Sequence, residues 1–204
     1  MSTQEVGSNK PDITLNVRGV INDLVADGRL SAEDAENISM KSRAKHQLTW
    51  HPIELVAEEN AVDLKNPAKN LDLDVLTHWL CERSKQTYKR IDPMKIDATV
   101  VTRMMSAEFA KRHGLLPISM TEDEIVIASA QPYVSSWEAT LGQSHPRKVL
   151  TRVVANPADI RRYTTEFYQM AKSVSKANAQ GLNTSSLTNL EQMLELGHVD
   201  AMEA

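Results

Sequence analysis

Apolar positions along the chain recur at three- and four-residue spacing, then gather into short strand-like runs, then return to helical spacing. Val17, Val20, Ile21, Leu24 and Val25 fall on one face of a helix predicted from Leu15 to Ala26. Gly28 follows as the residue that ends it, since glycine adopts the left-handed turn a helix C-terminus needs. Ser31, three residues before Asp34, starts a second helix running to about Lys45. Pro52 suits the first position of a third, short helix carrying Ile53, Val56 and Ala57. Residues 15–65 therefore read as a small helical subdomain, too small for confident stability alone. Asn66, Pro67 and Asn70 mark a linker, across which that subdomain is expected to move.

The pattern then changes. Leu71 to Lys85 is an amphipathic helix with Val75, Leu76, Trp79 and Leu80 on one face, and Thr87 to Ile91 alternates weakly, as an additional strand would. Asp97 caps a helix predicted to continue unbroken to His113, and Gly114 closes it. Leu115–Met120 and Glu124–Ala130 are strand-like runs around Thr121-Glu122-Asp123, which makes a hairpin. A helix from Pro132 to Leu141, a strand from Val149 to Ala155 and a last helix from Asn156-Pro157 to about Lys172 complete a unit over 71–172. The fold class is α/β, of the α+β kind: a small N-terminal helical bundle, then three to four strands packed with helices, then a linker and a short C-terminal helix. Residues 1–14 read as disordered. Residues 173–204 read as a linker and the start of a following domain, with Leu187, Leu190, Met193 and Leu194 restoring a helical stripe.

Charge sharpens this division. The net charge of −4 conceals a balance of −5 over residues 1–80, +5 over 81–176 and −4 over 177–204. A basic middle suits nucleic acid, a phospholipid surface or an acidic protein, and charge alone does not choose. No run of about 18 apolar residues predicts a membrane-spanning helix, and one cysteine, Cys81, provides no disulfide framework.

The chemistry of a site is mostly missing. None of the seven glycines precedes a lysine, so the sequence holds no GxxxxGK[ST] phosphate cradle, and no GxGxxG or GxSxG either. Cys81 and His78 are three apart on one helix but too few for zinc, and His46 and His51 are separated by the Pro52 boundary. No catalytic residue and no metal site is expected. Lys85, Lys89 and Arg90 around Tyr88 read as a solvated strand edge, with nucleic acid as the functional alternative. Arg152, at the third strand, and Arg161 and Arg162, early on the last helix, are the better binding candidates. Cations there oppose the helix dipole and so are not placed to stabilise the helix. The apolar face around Val20 and Leu24 is a second candidate partner surface, and Trp50 reads as a core anchor.

Between Phe109 and Tyr168 lie FAKRHGLLPISM, EDEIVIASAQPYV and RKVLTRVVANPADIRRYTTEFY. Their order resembles the N-terminal domain of the cytoplasmic ATPases of type II secretion and type IV pilus assembly, the general secretion pathway protein E-like family. Ala110, Arg112, His113, Gly114, Leu115, Pro117 and Ile118 carry the likeness, then Ile125, Ile127, Ala128, Ala130 and Pro132, then Val153 to Ala155, Pro157, Asp159, Ile160 and Tyr168. It extends to Ile91-Asp92-Pro93 and to LVADGRLSAEDA. The resemblance implies a docking and regulatory piece of a hexameric motor at the inner face of the bacterial inner membrane. Its partner would be the cytoplasmic domain of a membrane-anchored protein, with ATP and Mg²⁺ handled by a motor domain beyond this sequence and no cofactor in this part. Relatives bind cyclic di-GMP through RLGxxL…G. The comparable VRGVINDLVADGRLS lacks the leucine between Arg18 and Gly19, which sets cyclic-dinucleotide sensing as the alternative function, with Arg152, Arg161 and Arg162 against the phosphates.

Overall fold

A computed structural model describes residues 11–44 and 50–177. The N-terminal helices are α1 (Val17–Ala26), α2 (Ala32–Ala44) and α3 (Pro52–Ala57), followed by α4 (Leu73–Ser84). Then come α5 (Ala98–Met104), α6 (Ala107–His113), β1 (Leu115–Met120), β2 (Glu124–Ser129), α7 (Ser136–Ser144), β3 (Val149–Val154) and α8, helical over 157–177. The outcome is the mixed α+β class the sequence predicts.

Local chemistry sets the helix starts. Asn16 caps α1 by accepting from Gly19 N, Asp72 caps α4 through Val75 N, and Asp97 caps α5 through Thr99 N and Val100 N. Ser31 Oγ accepts from Asp34 N at 3.0 Å at the head of α2. Gly28, at φ +66°, lets the chain reverse so that Arg29 N and Leu30 N both reach Leu24 O.

The sheet has the order β1-β2-β3. β1 and β2 form the expected antiparallel hairpin, with a register irregularity between Pro117 and Ser119. β3 runs parallel to β2, so α7 is the crossover between them. Four expectations need correcting. The predicted strand from Thr87 to Ile91 is reduced to a single bridge, Tyr88 to Val154, because only Thr87 O and Lys89 N find partners on β3. The helix predicted from Asp97 to His113 is two helices. Met105 is extended, and Ser106 caps a new start through Phe109 N. Pro132 does not open α7, which begins four residues later. The last helix does not end near Lys172 but continues through 177; the linker and stripe beyond that lie outside the described residues, as does most of the segment 1–14.

Residues 66–70 are not a free linker. Val62 bridges Asn70, Asp63 N donates to Lys69 O and Leu71 N to Ala61 O, which closes a tight loop. One core then runs across it: Val20, Leu24, Ile53 and Val56 pack with Leu71, Leu76, Trp79 and Leu80 and touch Val154 of β3. The helical subdomain and α4 thus share a hydrophobic interior, which opposes the independent motion expected of them. Polar ties reinforce it, with Asp27 accepting from Trp79 Nε1 at 2.8 Å and Arg83 bridging Asp23 and Asp27. Two further clusters fill the opposite parts of the sheet, one around Leu116, Ala128 and Phe167, the other around Leu115, Ile127 and Trp137.

Candidate functional site

Where the helical part meets the α/β part, a cleft of about 870 Å³ opens. The start of α3, the end of α6, the first turns of α8 and residues 12–15 line it. Its walls differ in how their charges are used.

On the α3–α8 wall, the charges are consumed. Glu54 is 6% exposed, and its two oxygens accept from Arg161 Nη1 at 2.6 Å and Nη2 at 2.8 Å. A two-pronged guanidinium–carboxylate pair of this kind fixes position as well as charge. The Arg161 guanidinium also lies 5.9 Å from the Trp50 ring, so Trp50 is a half-buried wall residue of the cleft. His51 caps α3 by accepting from Ile53 N on Nδ1, and Glu54 returns the bond to His51 N. With Nδ1 accepting, the neutral ring carries its hydrogen on Nε2. That atom is sealed from solvent and makes no well-formed hydrogen bond among the described residues, with the Ala130 carbonyl the backbone group nearest to serving it. Burial pushes the His51 imidazole down to about 4; the Arg161 charge adds to this, and the Ala130 backbone opposes it.

The α6 wall differs. Lys111, Arg112 and His113 end α6 ahead of Gly114, whose φ of +60° stops the helix. Cations suit a helix C-terminus, where the dipole is negative. Lys111 and Arg112 are exposed, and neither makes an ion pair or side-chain hydrogen bond among the described residues. His113 leans on Phe109, with ring centroids 4.5 Å apart.

The third side is an extended strap. Asp12 Oδ1 accepts from Ser135 N at 2.7 Å and from Ser136 N at 3.2 Å, at the N-terminus of α7. Ile13 N donates to Tyr133 O and Leu15 N to Gln131 Oε1. The amides of Ser135 and Ser136 hold the Asp12 carboxyl below its ordinary value.

The expected binding residues are not brought together. Arg161 is taken by Glu54. Arg152 donates to Val134 O at 2.7 Å, approaches Glu138 and lies 6.0 Å from the Trp137 ring, so it holds α7 against the sheet. Arg162 also lies at the surface, paired with Asp159 and stacked on Tyr163 at 4.3 Å. The dipole argument fails for Arg161 because a buried carboxylate from another helix outweighs a partial charge more than a turn away. Val20 and Leu24 are both fully buried, so they form core and present no surface to a partner. Of the three arginines of the cyclic-dinucleotide alternative, Arg152 is half-buried, while Arg161 and Arg162 keep exposed side chains beside their carboxylate partners. Cys81 is buried, its thiol pushed up to about 11 by burial, while His78 is exposed, so the two make no joint site. No group of three or more His, Cys, Asp or Glu suited to a metal occurs among the described residues.

Sequence reasoning missed Glu54, Asp12 and the unpaired Lys111 and Arg112. The His51-Pro52-Ile53-Glu54 run carried a cap signal, but the long-range partner of Glu54 lies 107 residues away and has no local trace.

The model of the MshEN domain matches residues 86–174. The type IV pilus assembly ATPase TfpB of Acinetobacter baylyi is 32% identical over 184 residues, which is 90% of this chain and 31% of that protein. The chain thus spans about a third of the length of this relative. Among solved structures, MshE with cdg matches at a TM-score of 0.48 and 15% identity, covering 73% of this chain and 98% of that one. The N-terminal domain of XpsE matches at 0.38 and 12%, covering 81% and 98%.

Proposed function

We propose that this chain, which carries an MshEN domain and is homologous to a type IV pilus assembly ATPase, is a docking and regulatory region of such a motor and performs no hydrolysis itself. The observation that carries this reading is the likeness to TfpB along nine-tenths of a sequence without a GxxxxGK[ST] cradle. The parent acts in the cytoplasm at the inner membrane, as a hexamer, and hydrolyses ATP in a separate motor domain. This region couples that hydrolysis to pilus or secretion-system assembly by binding the cytoplasmic domain of a membrane-anchored partner. No described helix is long and apolar enough to cross a membrane, so contact with the membrane runs through the partner.

The α6 wall is the docking surface. Lys111 and Arg112 are free to meet acidic groups, and the cleft beside them offers the half-buried Trp50 as an apolar contact. Rim cations of this kind act mainly on association rate and salt dependence. Titrating the chain with the partner's cytoplasmic domain across a salt series tests the reading. Binding should weaken steadily as salt rises. No binding at low salt would remove the docking role.

A further inference from the structure

The strap over residues 12–15 is held in a manner that a second peptide can imitate. α7 has no side chain of its own to cap its first amides, and the nearest residue, Ser135, makes no capping bond. The carboxylate that serves those amides comes from 123 residues earlier. The two adjoining ties, Ile13 N to Tyr133 O and Leu15 N to Gln131 Oε1, are those an extended backbone makes to whatever lies beside it. Asp12 and Thr14 are exposed and Ile13 is 63% exposed, which leaves Leu15, half-buried against the helical core, as the strap's one packed residue. A segment fixed by a few hydrogen bonds and one half-buried side chain opens at lower cost than the packed elements beside it. The cleft below it is lined by Lys111 and Arg112, which make no ion pair or side-chain hydrogen bond among the described residues. Its polar groups outnumber those the strap satisfies.

We infer that the strap is an internal occupant of a groove for an extended acidic peptide, with Asp12 standing in for a partner's carboxylate on the amides of Ser135 and Ser136. An incoming acidic segment displaces the strap, takes the same two amides and gains Lys111 and Arg112, which the strap leaves unused. This rests on the docking reading above and names the partner's chemistry: an extended segment with an aspartate or glutamate. In the absence of such a segment, the strap keeps the groove shut.

The test uses the whole chain and a fluorescent peptide with the sequence of residues 8–16, added in trans. Asp12→Ala frees the amides; circular dichroism establishes that the variant is folded, and Asp12→Leu, close to aspartate in size but without an acceptor, serves as a second variant. The peptide should bind both variants at least tenfold more tightly than the parent chain. A peptide with alanine at the position of Asp12 should not bind. Amide exchange at Ser136 should quicken in the variants and slow again when the peptide is added. Equal affinity for parent and variants, or no binding to either folded variant, would overturn the inference. Should the peptide bind but fail to compete with the partner's cytoplasmic domain, the groove stands and the docking reading falls.

Discussion

Arg161 and Arg162 are neighbours in sequence, equal in charge, and one peptide bond apart at the start of α8, yet they do opposite work. Arg161 forks onto the buried Glu54 and ties the helical part to the α/β part. Arg162 lies outside on Asp159 and Tyr163. The same contrast repeats at larger scale in the two walls of the cleft. On the α3–α8 wall, charge is paired around a buried carboxylate and structural; on the α6 wall it is exposed and makes no ion pair among the described residues. A count of basic residues therefore overstates the surface available to a partner, because the partner meets only the cations that the fold has not already used.

Acid should break the structural wall most strongly. The folded state lowers His51 from about 6.5 to about 4, so the neutral ring stabilises fully above the unfolded value, and the contribution is lost as pH falls from 6.5 towards 4. A difference of that size corresponds to on the order of 3 kcal/mol. Urea melts at pH 7 and pH 4 should differ by about that amount, and His51→Asn, which retains a cap acceptor, should flatten the difference. A pH-independent wild type would mean that His51 is hydrated.

Next in size is the pair itself. Removing one partner of a fully buried pair costs roughly 3–5 kcal/mol. The Arg161 side chain keeps 42% exposure and can rehydrate, so Glu54→Ala should cost about 2 kcal/mol in chemical denaturation. A smaller loss follows from the strap. Asp12→Ala removes a cap from α7 and should cost about 1 kcal/mol. Arg162→Ala should change stability by less than about 0.5 kcal/mol, as exposed pairs do. If Arg162→Ala proved as costly as Glu54→Ala, the contrast between the neighbours would be wrong.

The hairpin was readable in the sequence because alternating apolar runs around a polar turn have few other solutions, and Asp97 announced its helix by local capping. The break at Met105-Ser106 was not, since both halves keep a helical apolar spacing and only the Ser106 cap divides them. Asn66 to Asn70 had the composition of a linker, but Arg29 holds the buried Asp63 at 2.7 Å, a contact across 34 residues that folds the loop back. Val20 and Leu24 were correctly placed on an apolar helix face. That such a face meets the chain's own α3 and α4, and not a partner, is decided by packing that no local pattern encodes. The cations of α6 were visible as letters, but that they line a cleft and make no ion pair among the described residues emerges only from the fold.

The most direct measurement sets the two walls against each other in binding to the partner's cytoplasmic domain at low salt. Lys111→Glu with Arg112→Glu should weaken binding at least tenfold while leaving the melting temperature nearly unchanged. Arg161→Glu should lower the melting temperature by several degrees, because it sets a second carboxylate against Glu54. Unchanged binding in the α6 double variant, with its fold intact, would contradict the account.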